Sequence, residues 1–550
     1  MKAALINALW HAASLPEAWR FHQATARVAE TQTRLLNTYL IANQNTAYGR
    51  RHQFESIRSV NDYQRHVPLT TYDDYSNLID CIARGQPNVL TAQPVQMFEP
   101  SSGSTAASKL VPYPATLKAE FQRGLAPWIV DLYSHYPQLR GGPAYWSVTP
   151  LTEGRRTTPG GLPIGFEEDS AYLGPLGALI ESALAVPNAI KHIGDIKAFR
   201  YIALLFLLRQ SNLRLISIWN PTYLTLLIKF LPEWWNDLLT DIAAGTLSPP
   251  QPLDLAVRRR LQLALTPDPN RARVLATLSP DDYSAIWPHL SLISCWADGP
   301  AAGYARALQQ SFPNVSLQPK GLLATEAFVS FPLVGKEGSV LAITSHFFEF
   351  LPTETFQRSI STNALLAHQL EKGQTYAVVV TTSGGLYRYQ LQDVIEVVEF
   401  VGQAPCIRFV GKQDHVSDWF GEKLSEPFVA GALAQLFNQH QLSPTFAMLA
   451  PDDSERDFCY TLYLELPPDQ HLNNLHCDLD AALSANFHYA YCRQLGQLAE
   501  PRLILVVNGV EAYLQACQSR GQKLGNIKPA ALQKTTGWSQ WFQPLQASNG

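Results

Sequence analysis

A chain of 550 residues exceeds what one hydrophobic core supports, so at least two domains are expected. With 46% hydrophobic residues, 16% charged residues and a formal charge of −4, it has the make-up of an ordinary globular protein and no basic balance for a nucleic-acid partner. Seven scattered cysteines, with no Cys-x-x-Cys pair, argue against a disulfide framework and a zinc ribbon and fit a reducing, cytoplasmic compartment.

Neither a leader nor a membrane span is expected. In residues 2–13 the apolar run is interrupted by Asn7 and His11, and its helical pattern continues through Trp19. The most apolar segment, 201–208, is too short for a bilayer and lies between Arg200 and Arg209. The Trp/Leu-rich run 216–239 holds Pro221, Lys229, Pro232, Glu233 and Asp237, and it reads as buried helices.

Long helices open the chain, with Val28, Leu35, Leu36, Tyr39 and Leu40 at helical spacing. Asn45-Thr46-Ala47-Tyr48-Gly49-Arg50 reads as a glycine-containing stop. An extended segment 67–70 leads into a helix capped by Thr71 or Asp73. A strand over 94–98 precedes a hydroxyl-rich loop, and residues 115–140 return to helical spacing. The Gly/Pro/Thr-rich stretch 150–170 is irregular, and helices dominate 195–290. One of them starts at Pro267-Asp268-Pro269-Asn270 and another ends at Ile286-Trp287-Pro288.

The pattern changes near residue 290. Strands are expected at 290–296, 316–323, 340–344, 347–350, 375–382, 387–391, 394–400 and 407–410, with a helix over 304–312. Mixed helices and strands before 350 imply α/β layers, and the consecutive strands after it imply antiparallel pairing. From 412 the order helix 426–439, strands 445–450 and 459–466, helix 477–495, strand 502–507 and helix 510–519 describes a small α+β unit. The expected domains are 1–411 and 412–550, joined near Gly411-Lys412-Gln413-Asp414.

Four motifs carry chemistry. Ser101-Ser102-Gly103-Ser104-Thr105-Ala106-Ala107-Ser108-Lys109 supplies hydroxyls, loop N–H groups and a lysine suited to phosphate oxygens, without the Gly-Lys-Ser/Thr ending of a Walker loop. Gly321-Leu322-Leu323-Ala324-Thr325-Glu326-Ala327 reads as a strand ending in a Thr-Glu pair whose carboxylate could ligate Mg²⁺. In Thr381-Thr382-Ser383-Gly384-Gly385-Leu386-Tyr387-Arg388-Tyr389-Gln390-Leu391-Gln392-Asp393, Gly384-Gly385 reads as a hairpin turn, and Asp393 is placed just beyond the strand, where it could accept from a ribose diol. The segment 411–426 puts Lys412, Asp414, Gly421 and Glu426 at the domain junction. An ordinary polar loop or linker also accommodates each motif taken singly. No His-x-x-x-His pair occurs among fourteen histidines, and His346 is expected to be a strand residue rather than a metal ligand. Ser383 lacks a Gly-x-Ser-x-Gly elbow.

Together the motifs resemble those of the adenylate-forming superfamily. With Phe348-Glu349-Phe350-Leu351-Pro352 and Leu386-Tyr387-Arg388-Tyr389, the sequence is most similar to the auxin-responsive acyl acid amido synthetase family, as a bacterial-type member. The resemblance implies a large N-terminal adenylation domain and a mobile C-terminal lid. It implies ATP held by Ser101, Ser102, Gly103, Ser104, Thr105 and Lys109, Mg²⁺ on Glu326, Thr325 beside the α-phosphate, and Asp393 with Lys412 on the ribose. Lys528 would be the lysine that the lid delivers for adenylation. The partners implied are a small carboxylic acid and an amine, typically an amino acid, with a monomer as the default state. Departures from the family pattern are Ala106, Ala107, Leu322, Gln390, Gln392 and the lack of an arginine after Lys528. A thiol such as CoA as acceptor, or a non-catalytic binding relative, are the competing readings.

Overall fold

A computed structural model describes residues 2–100, 109–147, 156–165, 176–298, 301–353, 364–412, 416–453, 458–467, 475–522, 527–528 and 530–544. The hydroxyl-rich loop 101–108 and the junction residues Gln413, Asp414 and His415 lie outside them. The chain divides into two units. The first comprises Met1–Trp296, Gln309–Leu391 and Glu396–Arg408, and the second Ala297–Leu308, Gln392–Ile395 and Phe409–Gly550.

In the first unit, helices Lys2–Thr25 and Val28–Asn43 open the chain as their apolar spacing requires. The first packs on helix Ala115–His135, with Trp10 edge-on to Tyr133 at 6.2 Å. Asn45 to Arg50 does more than stop a helix. Thr46 caps a further short helix, Ala47–Arg51, by accepting from Gly49 N–H at 2.9 Å. Gly49 is required because a Cβ there would lie 2.1 Å from the Asn43 carbonyl oxygen. Of the two expected caps for helix Tyr72–Ala83, Thr71 holds the position, and Asp74 Oδ2 accepts its backbone N–H at 2.7 Å.

Two sheets and most of a third belong to this unit. A four-stranded parallel sheet runs Ala144–Trp146, Leu215–Ser217, Leu292–Cys295, Ser316–Pro319. Its strands are three or four residues long, so the expected strand 316–323 is shortened and the strands at 144 and 215 were not expected at all. Val95–Pro100 and Leu110–Pro114 form an antiparallel pair in a second sheet. The third has seven strands, ordered Leu365–Leu366, Phe347–Pro352, Thr375–Thr381, Tyr389–Val401, Ala404–Lys412, Ser339–Leu341, Ser330–Pro332. The two strands expected at 387–391 and 394–400 are one strand of 13 residues. The connection before it is a longer loop, Thr382 to Arg388, rather than a two-residue hairpin.

The second unit follows the expected order closely, with helix Glu426–Gln439, strands Phe446–Asp452 and Cys459–Glu465, strand Arg502–Val507 and helix Gly509–Ser519. The single helix expected over 477–495 is two, Leu475–Ser484 and Phe487–Gln494, because Asn486 Oδ1 caps the second through His488 N–H at 2.9 Å. A core of Leu433, Leu436, Leu449, Leu462, Leu479 and Tyr489 holds these layers together. Each such leucine contributes about 1.5–3 kcal/mol of burial free energy.

Candidate active site

The loop expected to cradle phosphate joins two paired strands. Pro100 faces Leu110 across the antiparallel ladder, which brings the two ends of the 101–109 segment together. Lys109, the last residue of the motif, is half-buried, with Nζ 5.6 Å from the centre of the Tyr72 ring. Tyr72 is fixed beneath it, since its hydroxyl accepts Leu110 N–H at 2.8 Å. Burial raises the Tyr72 hydroxyl above the usual phenol range, and the charge of Glu326 adds to the shift, so the two groups are electrostatic neighbours.

Thr325-Glu326 is not a strand end. The strand stops at Pro319, and the pair forms the tip of a tight turn. A Leu323–Phe328 bridge closes that turn, and the Ala324 and Ala327 backbones exchange hydrogen bonds at 3.0 and 3.3 Å. Gly321 enters the turn where a Cβ would meet the Ser330 carbonyl oxygen at 1.9 Å. Glu326 is buried, and Tyr389 Oη donates to its Oε1 at 3.3 Å. The Tyr113 hydroxyl donates to the Thr325 carbonyl oxygen. The strand that follows the loop therefore grips the turn that carries the carboxylate.

A second tie reaches the same turn. Phe328 N–H donates to His346 Nε2 at 3.0 Å, so the imidazole carries its proton on Nδ1, and Nδ1 lies 3.0 Å from Glu120 Oε2. His346 sits one residue before strand Phe347–Pro352, just outside the strand it was expected to belong to. Ser383 N–H donates to the same Glu120 oxygen at 3.3 Å. Glu120 thus couples the Thr325-Glu326 turn to the Ser383-Gly384-Gly385 loop. Sequence reading missed it, although an acidic residue on the apolar face that Leu117, Phe121 and Gly124 define was a usable signal.

That loop packs tightly. A Cβ on Gly384 would lie 2.9 Å from Leu117 Cδ2, and one on Gly385, at φ +95°, 2.5 Å from Leu90 Cβ. Thr382 Oγ1 and Ser383 Oγ are buried and have no hydrogen-bond partner among the described residues. Buried hydroxyls without partners cost free energy, which a polar ligand would recover.

The two most specific family motifs prove to be a buried clamp. Arg388, at φ 48°, sets its Nε 3.1 Å from both Glu349 oxygens. Its Nη1 donates to the carbonyls of Gln64 and Val67 at 2.9 Å. Burial pushes the Glu349 carboxyl up, and Arg388 opposes that shift. Tyr387 stacks on Tyr48 at 4.9 Å and donates to the Leu90 carbonyl at 2.9 Å. These contacts place Tyr389 where it reaches Glu326.

In the second unit, Asp393 lies within strand Tyr389–Val401, not beyond it, and is buried. Its Oδ1 is 3.1 Å from Lys412 Nζ. Lys528 is half-buried, and its carbonyl oxygen accepts from Tyr513 Oη at 2.8 Å. Glu422, also in the junction motif, folds a local turn by accepting N–H from Trp419 and Phe420 at 2.9 and 2.7 Å. Ser101, Ser102, Gly103, Ser104 and Thr105 lie outside the described residues. Among the described residues no group of three or more His, Cys, Asp or Glu side chains could enclose a metal, and no helix is long and apolar enough to cross a membrane. A single carboxylate such as Glu326 still suits Mg²⁺, which is normally shared with substrate phosphates.

Three family models match the chain in order: the GH3 family N-terminal domain over residues 18–317, the central domain over 339–412 and the C-terminal domain over 429–536. Among curated proteins, the chain is 26% identical to "Indole-3-acetic acid-amido synthetase GH3.3" of Arabidopsis thaliana, over 96% of this chain and 93% of the relative. It is 27% identical to "Indole-3-acetic acid-amido synthetase GH3.8" of Oryza sativa subsp. indica, over 74% of this chain and 69% of the relative. Among solved structures, "AtGH3.15 acyl acid amido synthetase in complex with 2,4-DB" superposes with a TM-score of 0.82 at 22% identity, covering 96% of this chain and 95% of that one. These are plant-type likenesses, and none supports the expectation of a bacterial-type member.

Proposed function

Because this chain belongs to the GH3 family, we propose that it is an ATP-dependent ligase joining a small carboxylic acid to an amine, most suitably an amino acid. Curated relatives named as amido synthetases support the reaction class, and a relative's name for indole-3-acetic acid points to apolar, ring-bearing acids. In the first half-reaction a carboxylate oxygen attacks the α-phosphorus of ATP. The P–O bond to the β-phosphate breaks, and acyl-adenylate and pyrophosphate form. In the second, a neutral amine attacks the acyl carbon, AMP leaves with the C–O bonding pair, and the amide nitrogen gives up a proton.

The observation that carries this reading is the buried Glu326 at the tip of a turn gripped by Tyr113 and Tyr389, the former on the strand that Lys109 immediately precedes. Lys109, with Ser101, Ser102, Gly103, Ser104 and Thr105, serves the triphosphate. Thr382 and Ser383, with buried hydroxyls lacking partners among the described residues, supply further polar contacts. Glu326 would hold Mg²⁺, which neutralises phosphate charge when bound. Thr325 stands beside the α-phosphate, and Asp393, 3.1 Å from Lys412 Nζ, accepts from the ribose hydroxyls. Residues 412–550 act as a mobile lid that delivers Lys528. Positioning and charge neutralisation do the catalytic work.

The test is pyrophosphate exchange into ATP with a panel of acids, followed by capture with amino acids or with CoA. Acid-dependent exchange and amide product are expected. Glu326→Gln, which preserves shape and removes charge, should slow exchange by about 10²-fold. Thioester as the captured product would replace the amine by a thiol acceptor, and nucleotide binding without exchange would leave a non-catalytic relative.

A further inference from the structure

Lys320 stands apart from the machinery described so far. It follows strand Ser316–Pro319 at the carboxyl edge of the parallel sheet, and its backbone N–H donates to the Cys295 carbonyl oxygen at 2.9 Å. Its Nζ donates to Ser217 Oγ, on the last residue of strand Leu215–Ser217, two strands away in the same sheet, at 2.8 Å. The ammonium also lies 4.8 Å from the centre of the Trp219 ring and 5.1 Å from that of Trp128.

Both indoles are held from behind. Trp128 Nε1 donates to Gln318 Oε1 at 3.0 Å, and the Trp219 ring packs against the Trp296 ring at 5.7 Å. The cage is therefore fixed by its own sheet edge. Among the described residues, no carboxylate is ion-paired with Lys320. The Cys295 thiol acts on its charge, and burial pushes that thiol up to about 12, so it is neutral at pH 7 and gives no counter-charge. Burial lowers the Lys320 ammonium to about 8, so the group is desolvated yet still mostly charged near neutrality.

A desolvated cation with a neutral hydroxyl as its hydrogen-bond partner favours an anion. The donors are arranged for a carboxylate. Ser217 Oγ accepts from Nζ, so its own O–H is left to donate, and the ammonium has further N–H groups beyond the one given to Ser217. The carboxyl edge of a parallel sheet is where such folds bind their ligands. The same connection runs on through Gly321 to Thr325 and Glu326.

We propose that Lys320 and Ser217 form a carboxylate-binding pair for a substrate of the ligase, with Trp128 and Trp219 flanking it. This rests on the ligase reading above. The carboxylate belongs either to the acyl acid or to the amino-acid acceptor, and kinetics separates the two. Lys320→Met keeps the apolar stem without the charge, and Lys320→Arg keeps the charge.

If the acid is the source, its KM in pyrophosphate exchange rises about tenfold or more in Lys320→Met. If the acceptor is the source, exchange is unchanged and the amino acid's KM in amide formation rises instead, while that of its methyl ester does not. Either rise should be largely reversed in Lys320→Arg. Both KM values within about twofold of the parent, in a variant with unaltered circular dichroism, would overturn the proposal. If the parent protein supports no exchange with any acid, the ligase reading fails on its own. Tryptophan fluorescence titrated with benzoate and with glutamate then decides the site. Saturable quenching lost in Lys320→Met upholds the carboxylate site, and identical titrations in both proteins refute it.

Discussion

At the scale of single residues, the side chains nearest the proposed chemistry are kept in place by others that sequence patterns did not single out. Glu326 was visible as an acidic residue in a Thr-Glu pair, but its turn, its burial and its bond from Tyr389 come from packing. Glu349 and Arg388 were legible as family marks, and in the fold they form a buried structural pair. Lys320 was not legible at all, because the two indoles and the serine around it are at least 100 residues apart along the chain from it. Its lowered ammonium also has a thermodynamic consequence. A lysine whose folded pKa is about 8, against an ordinary 10.5, binds fewer protons folded than unfolded between those values. Stability contributed through this group therefore rises with pH across that window, and its penalty is full below pH 8. Lys320→Met should accordingly raise the melting temperature at pH 7. The gain should shrink between pH 8 and 10.5, and parallel melting curves at all pH values would contradict the assignment.

At the scale of elements, local chemistry was readable where it was self-contained. Helix Glu426–Gln439 matches its expected limits because Ser425 caps it and Pro427 stands in its first turn, where no N–H is needed. The three-residue strands Ala144–Trp146 and Leu215–Ser217 have no period long enough to detect, and their partners lie far off in sequence. The loop after strand Thr375–Thr381 was identified by its glycines but not by its packing. Two glycines, one in this loop and one in the connection between strands Ser330–Pro332 and Ser339–Leu341, separate strain from packing. Gly335, at φ +77°, has open space around its missing Cβ, whereas Gly385, at φ +95°, faces Leu90. Gly335→Ala should cost about 1 kcal/mol by denaturant unfolding, and Gly385→Ala about 2 kcal/mol or more. Gly385→Ala should also lower pyrophosphate exchange, since Ser383 is tied to Glu120 through the same loop. Equal costs in the two variants would refute the packing argument.

At the scale of the whole molecule, the order of elements gave the α/β layers and the smaller C-terminal unit, because each carries its own apolar faces. The sequence did not disclose that Ala297–Leu308 and Gln392–Ile395 cluster with the C-terminal residues, since a linear boundary cannot anticipate inserted segments. A lid lysine makes a separable prediction. Lys528→Ala should slow acyl-adenylate formation by about 10²-fold and leave amide formation from preformed acyl-adenylate within a few-fold of the parent. Equal loss in both half-reactions would remove the lid role. The central claim, that a carboxylate oxygen attacks the α-phosphorus, is tested most directly with an acid labelled with ¹⁸O in its carboxylate. Turnover with an amino acid should leave one labelled oxygen in AMP, whereas label in inorganic phosphate, with ADP as the other product, would contradict it.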